Sequence, residues 1–180
     1  AMAVLPILIA PHPTLKAKAK PVKDVTDELR ALLDDMLETM YDAPGIGLAA
    51  NQIGSLHRVL VMDCGSRDDE ETPRPIKIIN PEITGVSEEL SSYEEGCLSI
   101  PEQFADVERP AVVRVKYLDE NGQKQERLFD GLEATCVQHE IDHLDGVLFV
   151  DHLSNLKRNM LMKKLKKYLK DREEDAADVG

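Results

Sequence analysis

Three stretches of the chain place apolar residues at helical spacing. In residues 26–41, leucine and methionine recur every three or four positions. Thr26 is a favourable N-terminal cap for this helix, because its hydroxyl can accept a hydrogen bond from a free amide of the first turn. Two more helices are predicted, over about 132–144 and about 154–170. The acidic residues 171–180 are expected to form a frayed tail.

Extended segments fill the middle of the chain. Asn121-Gly122 lies between two of them and is a strong signal for a tight hairpin turn. A polar surface loop is expected over residues 65–75, GSRDDEETPRP. The predicted extended segments cover residues 57–63, 76–84, 88–93, 111–118 and 123–129. Because the strands come in runs and the helices stand apart from them, the pattern indicates an α+β fold rather than alternating βαβ units.

The length and composition favour one domain of ordinary size. The chain has 180 residues, of which 42% are hydrophobic and 31% are charged, so it can bury a core, and residues 1–180 are expected to form a single domain. The formal net charge of −12 disfavours binding to nucleic acids or anionic membranes unless the basic residues are segregated. Three cysteines without a CxxC pair argue against a disulfide framework and against a structural zinc knuckle.

The first ten residues, AMAVLPILIA, do not have the pattern of a targeting segment. Pro6 interrupts their apolar run, and no basic leader precedes it. We therefore expect neither a signal peptide nor a membrane span, and we expect a cytoplasmic location in which the cysteines stay reduced.

The segment CVQHEIDHLDG, residues 136–146, carries the clearest chemical signal. On a helix, His139 and His143 leave the same face one turn apart, so both imidazoles can bind one metal ion. Glu140 holds the position of the general base in HExxH hydrolases. A surface helix with chance histidines is the alternative, but apolar residues flank the motif, which favours a partly buried helix and a metal site.

A catalytic metal site of this type needs a third protein ligand and an open position for water. Phe149 occupies the place of the third histidine of the metzincins, and the region where other zinc proteases supply a glutamate is rich in lysine. Upstream, Cys97 in EEGCLS is the preferred candidate, since a thiolate binds zinc or ferrous iron well. Cys136 is its rival, because it lies three residues before His139 on nearly the same side of the helix.

The segment GIGLAANQ, residues 45–52, is rich in small residues. It matches the GxGxxA pattern of dinucleotide-binding loops, but it follows a helix and a proline instead of a strand, which argues against that function. Its glycines could expose backbone to a peptide substrate while Gln52 offers an amide donor. Alternatively, the segment is a turn that leads into a buried strand or helix. Local chemistry alone does not choose between these two interpretations.

Taken together, GIGLAANQ (45–52), EGCLS (95–99) and QHEIDHLDG (138–146) resemble the three signature motifs of the peptide deformylases in order and spacing. The resemblance extends over nearly the whole chain. It implies an α+β fold with small antiparallel β-sheets around a central helix that carries HExxH, and with a C-terminal helix. It also implies a metal-dependent hydrolase that removes the formyl group from N-formylmethionine of nascent polypeptides and releases formate.

The resemblance further implies the roles of individual residues. One divalent metal ion would be bound by Cys97, His139 and His143, with water as the fourth ligand. The ion would be Fe²⁺, with Zn²⁺, Ni²⁺ or Co²⁺ as alternatives. Glu140 would accept the proton of the attacking water and return it to the leaving amine. The developing oxyanion would be stabilised by the metal, the Gln52 amide and the backbone N–H of Leu98.

The resemblance also implies how a substrate peptide binds. The backbone of Ile46, Gly47 and Leu98 would pair with an extended peptide, which is a binding mode that accepts any sequence after Met. The Met side chain would enter an apolar pocket. This pocket would be lined by Ile46, Cys136 and the ring of His139.

Three further features concern contacts with a metal ligand, with the substrate peptide and with the ribosome. Asp142 is a candidate hydrogen-bond partner of a metal ligand, or else an exposed helix carboxylate. Phe104 stands where some relatives carry a basic residue, so contacts to the peptide beyond Met are expected to differ here. Helix 154–170 carries seven basic residues in an otherwise acidic chain, which is either a solvated face or a surface that binds ribosomal RNA.

Two other classes of protein are alternatives to a deformylase. An HExxH peptidase is disfavoured, because the downstream ligand is missing and EGCLS is present. A structural metal site or a binding module is disfavoured because a closed site needs four protein ligands and gives Gln52 and Glu140 no purpose. The chain is expected to act as a monomer.

Overall fold

The computed structural model describes residues 3–65 and 72–179. The long helices in this part of the chain are α1 (Asp27–Asp42), α2 (Gly131–Leu144) and α3 (Asn155–Val179). The strands are β1 (Gly47–Ala49), β2 (Val59–Met62), β3 (Ile76–Val86), β4 (Leu90–Cys97), β5 (Ile100–Pro110), β6 (Val112–Leu118) and β7 (Lys124–Asp130). These elements confirm the predicted α+β class.

The strands form two antiparallel sheets. The larger sheet has the order β1-β2-β3-β6-β7, and the smaller one pairs β4 with β5. All four residues of β2 are buried, because α1 covers one face of the strand and α2 covers the other. Val59 and Val61 pack in the cluster of α1, whereas Leu60 and Met62 pack in the cluster of α2. The HExxH helix is therefore central to the fold.

Several local predictions are confirmed by the structure. The Thr26 hydroxyl caps α1 by accepting a hydrogen bond from the backbone N–H of Leu29. The Asn121-Gly122 turn joins β6 to β7 in the expected hairpin, and Gly122 adopts the positive φ of 76° that such a turn requires. Of the predicted polar loop 65–75, residues 66–71 lie outside the described residues.

Two elements, β5 and α3, differ from the sequence prediction. Strand β5 was not predicted, since prolines stand near both of its ends and its buried positions include the polar residues Gln103 and Arg109. The prediction that α3 ends at Lys170 and gives way to a frayed tail is wrong, because the helix continues to Val179. Residues 171–179 contain Arg, Glu and Ala and lack both Gly and Pro, so the helix can propagate through them. No helix in the described residues is apolar over a length that could cross a membrane.

Candidate metal centre and active site

The two histidines of HExxH lie on a helix that is buried nearly all round. Ala134, Val137 and Ile141 turn one side of α2 toward the larger sheet. His139 and His143 leave the helix on another side, one turn apart, and both are buried. The ring of Phe149 stacks on the ring of His139, with centroids 6.2 Å apart. The residue in the place of the metzincin histidine therefore packs against a proposed ligand.

Cys97 meets both histidines at the end of β4. Its Sγ lies 3.3 Å from Nε2 of His143, and the two Nε2 atoms lie 3.2 Å apart. All three donor atoms lie within 4.8 Å of one another. Two imidazole nitrogens bound at about 2.0–2.1 Å to one tetrahedral ion would be about 3.3 Å apart, so the donor set fits a metal ion.

Glu95 fixes the orientation of the His139 ring. Its Oε1 lies 2.9 Å from Nδ1 of His139, and its carboxylate also pairs with the Arg109 guanidinium at 2.7 and 2.9 Å. Burial alone would raise the pKa of Glu95, but the hydrogen bonds of His139 and Arg109 outweigh it and lower the pKa. An ionised Glu95 can only accept a hydrogen bond, so Nδ1 of His139 donates to it, and Nε2 is the nitrogen left on the side of the clustered donor atoms.

Asp142 continues this network but does not contact a metal ligand directly. Its Oδ2 accepts a hydrogen bond from Arg109 at 2.8 Å and lies 2.7 Å from Nε2 of His152. The predicted contact between Asp142 and a ligand is thus replaced by an indirect one that passes through Arg109 and Glu95. Arg109, which is buried between two carboxylates, was missed in the sequence because it stands 14 residues from Glu95.

Glu140 lies beside the histidines with its carboxylate out of water. Burial raises the pKa of Glu140 to about 7. Its Oε1 has no hydrogen-bond partner among the described residues. Gly47 makes room for this side chain, since a Cβ atom there would lie 2.5 Å from Oε2 of Glu140. A carboxyl group with a pKa near neutrality is suited to move a proton in either direction.

The Gln52 side chain is held next to Cys97. Its Oε1 accepts a hydrogen bond from the backbone N–H of Ala49, and its Nε2 donates to Ser99 Oγ at 3.1 Å and to Cys97 Sγ at 3.6 Å. The N-terminal segment also holds the backbone of Gln52 in place, because the backbone N–H of Leu8 donates to the backbone carbonyl of Gln52. No local pattern in the sequence indicated that contact.

Ile46 and Leu98 lie close to the residues of this site, on the segments that precede β1 and follow β4. The Leu98 side chain lies over Gly45, where a Cβ atom would be 2.9 Å from Leu98 Cδ1. The Ile46 carbonyl accepts the backbone N–H of Asp63 and lies 3.5 Å from Cys136 Sγ. Cys136 is therefore directed at Ile46 and is not among the three clustered donors, which favours Cys97 over its rival.

A thiol and two imidazoles that could hold one metal ion lie beside a buried glutamate and a fixed amide, which are groups that mononuclear metal hydrolases use. A family model described as polypeptide deformylase matches residues 4–159. A peptide deformylase of Mesorhizobium japonicum is 60% identical over 171 residues, which cover 95% of this chain and 96% of that relative. The chain belongs to the polypeptide deformylase family.

Solved structures agree with this assignment. The crystal structure of a peptide deformylase from Legionella pneumophila is 44% identical and has a TM-score of 0.87, with 95% of this chain and 98% of that chain covered. A peptide deformylase from Ehrlichia chaffeensis in complex with actinonin is 41% identical with a TM-score of 0.87, and 93% of this chain and 98% of that chain are covered. The chain is accordingly a metal-dependent enzyme that removes the N-formyl group from nascent polypeptides.

Proposed function

We propose that Cys97, His139 and His143 hold the catalytic metal ion of this deformylase. The convergence of their donor atoms within 4.8 Å is the observation that carries the proposal. We propose Fe²⁺ as the ion, because one thiolate and two imidazoles suit ferrous iron, although the same donors also accept Zn²⁺, Ni²⁺ or Co²⁺. A divalent ion supplies Lewis acidity, which polarises the formyl carbonyl and makes a nearby water more acidic.

Glu140 is the proton carrier in this proposal. Its carboxylate accepts a proton from the attacking water and then delivers it to the nitrogen of the departing methionine. The raised pKa of about 7 supports both steps, because the group exchanges a proton readily near neutral pH. Positioned proton transfer of this type contributes about 10²–10⁴-fold to a rate.

Gln52 and Leu98 stabilise the negative charge that develops on the formyl oxygen. The Gln52 Nε2 group is fixed beside Cys97 by its bonds to Ser99 and Cys97. Leu98 follows Cys97 in the tight turn between β4 and β5, so its backbone N–H is the second proposed donor. Removal of one donor of this type costs about 2.7–4 kcal/mol of barrier.

The substrate peptide pairs with the backbone of Ile46, Gly47 and Leu98. β1 is an edge strand of the larger sheet in the described chain, and pairing along such an edge reads backbone rather than sequence. The Met side chain enters the space between Ile46, Cys136 and the His139 ring. Substrates are therefore N-formylmethionyl nascent peptides with varied residues after Met.

The residue assignments are tested by formate release from a formyl-Met peptide, with protein purified without oxygen and loaded with Fe²⁺ or Ni²⁺. We expect Glu140→Ala to retain one metal ion per chain and to lose formate release. Glu133→Ala, which removes another carboxylate of α2, is the matched control and should remain active. Unchanged turnover in Glu140→Ala would refute the assigned mechanism, and casein cleavage without formate release would indicate a peptidase.

We also propose that the basic part of α3 binds ribosomal RNA. Between residues 157 and 170 this helix carries seven Lys and Arg residues, and most of them are exposed. Because Leu165 is buried in the core, truncation would disturb the fold, so charge reversal is the better test. Lys163→Glu/Lys167→Glu should reduce cosedimentation with ribosomes at low salt, whereas Lys18→Glu/Lys23→Glu, with the same charge change elsewhere, should not. Equal binding of both variants would refute the proposal.

We further propose that the enzyme acts as a monomer in the cytoplasm. The three proposed metal ligands converge within a single chain, so the site does not need a partner subunit for its ligands, which supports the first point. Formylated nascent chains are the substrates of the family, and their synthesis on cytoplasmic ribosomes supports the second. Sedimentation equilibrium at micromolar concentration tests the first point, and a dimer would contradict it.

A further inference from the structure

Asp63 is a buried carboxylate that follows β2 directly and has no part in the proposed proton transfer or metal binding. The residue is only 3% exposed. Its Oδ1 accepts the backbone N–H groups of Gly65 and Arg74, each at 2.9 Å, and its Oδ2 accepts the hydroxyl of Tyr41 at 2.5 Å. A buried carboxylate is costly unless hydrogen bonds compensate for the lost water, and these bonds do so. They also hold the side chain in one orientation.

The bond between Tyr41 and Asp63 joins a protonated phenol to an ionised carboxylate. Burial alone would raise the pKa of Asp63, but the hydrogen bonds from Tyr41, Arg74 and Gly65 outweigh it and lower the pKa. Burial of the phenol, together with the hydrogen bond and the charge of Asp63, raises the pKa of Tyr41. Hydrogen bonds to a charged oxygen are about twice as strong as those between neutral groups. The hydroxyl of Tyr41 is therefore a firm anchor for the carboxylate.

The backbone of Asp63 holds the start of the proposed substrate-pairing segment. Its N–H donates to the carbonyl of Ile46 at 2.8 Å, one residue before β1 begins. β1 itself is held by its ladder with β2, in which Gly47 pairs with Met62. Ile46 lies outside the strand and is only half-buried, so its backbone depends on the bond to Asp63 more than β1 does.

Asp63 thereby fixes both ends of the connection between α1 and β1. Tyr41 lies in the last turn of α1, and Ile46 follows it by five residues. The first end is bonded to the carboxylate of Asp63, and the second is bonded to its backbone N–H. Between them, Gly45 lies against the Leu98 side chain, since a Cβ atom there would be 2.9 Å from Leu98 Cδ1. The placement of Ile46 relative to Leu98 therefore depends on Asp63.

We propose that Asp63 and Tyr41 are positioning residues for peptide binding. The Tyr41 hydroxyl holds the Asp63 carboxylate, and Asp63 holds the Ile46 backbone at the separation from Leu98 that an extended peptide requires. Loss of this bridge weakens peptide binding, whereas the groups around the formyl carbon stay in place. This inference rests on the proposed function, because it assumes that the substrate backbone pairs with Ile46 and Leu98.

Tyr41→Phe is the first test, because it removes the hydroxyl and keeps the ring. Tyr41 is 45% exposed, so we expect the variant to fold. Formate release from formyl-Met-Ala-Ser is measured with the metal-loaded enzyme. KM should rise about three- to tenfold while kcat stays within about twofold, since the lost interaction acts equally on the bound substrate and the transition state. The inhibition constant of the product Met-Ala-Ser should rise by a similar factor, and it reports binding without catalysis.

Variants of Asp63 and a second tyrosine complete the test. Asp63→Asn keeps an oxygen for the two backbone N–H groups, and its NH₂ group can donate to the Tyr41 oxygen. Its KM should therefore lie closer to that of the wild type than the KM of Asp63→Ala does. Tyr168→Phe is the matched control, because the Tyr168 hydroxyl also bonds a charged side chain, that of Arg172, but lies on α3. Its KM should equal that of the wild type.

Thermal melting and metal content are measured for each variant, and Tyr41→Phe still decides if Asp63→Ala does not fold. An unchanged KM in Tyr41→Phe, or an equal rise in Tyr168→Phe, would overturn the positioning role and leave the deformylase assignment intact. A fall in kcat at constant KM would also overturn it, because the reacting groups would then have moved. The absence of formate with the wild type, with metal bound and the fold intact, would overturn both.

Discussion

The carboxylate of Glu95 lies 2.9 Å from Nδ1 of His139, on the side of the ring opposite to Cys97. This contact sets which imidazole nitrogen is available to a metal ion. Arg109 in turn holds Glu95 through two hydrogen bonds, and its side chain is only 5% exposed. The orientation of a proposed ligand thus depends on a buried ion pair between the two strands of the smaller sheet.

Replacement of Glu95 should weaken metal binding without removing a ligand. Glu95→Gln keeps an oxygen acceptor for His139 but loses the charge that pairs with Arg109. We expect metal affinity to fall about 10–100-fold, as is typical when the partner of a ligating histidine is changed. Competition with a chelator for Zn²⁺ or Co²⁺ measures this. Glu94→Gln changes the exposed neighbour and should bind metal like the wild type; equal affinity in both variants would contradict the role of Glu95.

The buried Glu140 should make the stability of the metal-free protein depend on pH. Folding raises its pKa from 4.5 to about 7, so the folded state binds the proton more tightly than the unfolded state. The stability contributed by this proton is complete below pH 4.5 and is lost as the pH rises through 7. Glu140→Gln cannot lose a proton from this side chain. The melting temperature of the variant minus that of the wild type should therefore increase as the pH rises from roughly 5 to 8. A constant difference in melting temperature across that range would show that burial does not raise the pKa of Glu140.

Gly47 should tolerate no side chain. A Cβ atom there would lie 2.5 Å from Glu140 Oε2 and 2.9 Å from Cys136 Sγ, so Gly47→Ala must displace one of the two groups. We expect a loss of about 1–3 kcal/mol in the free energy of unfolding, together with a lower kcat. Gly85→Ala on β3 is the control, because its nearest neighbour would be 3.8 Å away. Denaturant titration and formate release are measured for both variants. Equal stability and activity of Gly47→Ala and Gly85→Ala would contradict this prediction.

The elements that could be predicted from the sequence are those whose signals are local. Thr26 and the apolar repeat defined α1, Asn121-Gly122 defined the hairpin, and the spacing of His139 and His143 defined the helical face of the site. Strand β5 could not be predicted from the sequence, because its buried positions carry polar residues whose partners are distant along the chain. Arg109 is the clearest case, since burial of a guanidinium is explained only by Glu95 and Asp142.

Contacts within the site were predictable only where a motif carried them. In the cluster, Cys97 meets two histidines that are at least 42 residues away in the sequence, so spacing alone left Cys136 as a rival. The bond from Leu8 to Gln52 and the packing of Phe149 on His139 had no signal in local periodicity. Both depend on how the chain folds back on itself.

The shortness of β1 has a consequence for solubility. An exposed strand edge can template the growth of a sheet between copies of a protein, and natural proteins limit that hazard with very short or charged edge strands. β1 is three residues long, and β7 at the other edge carries Lys124, Glu126 and Arg127. A three-residue edge leaves few backbone groups with which a second copy of the enzyme could pair, so the short β1 limits sheet growth between copies.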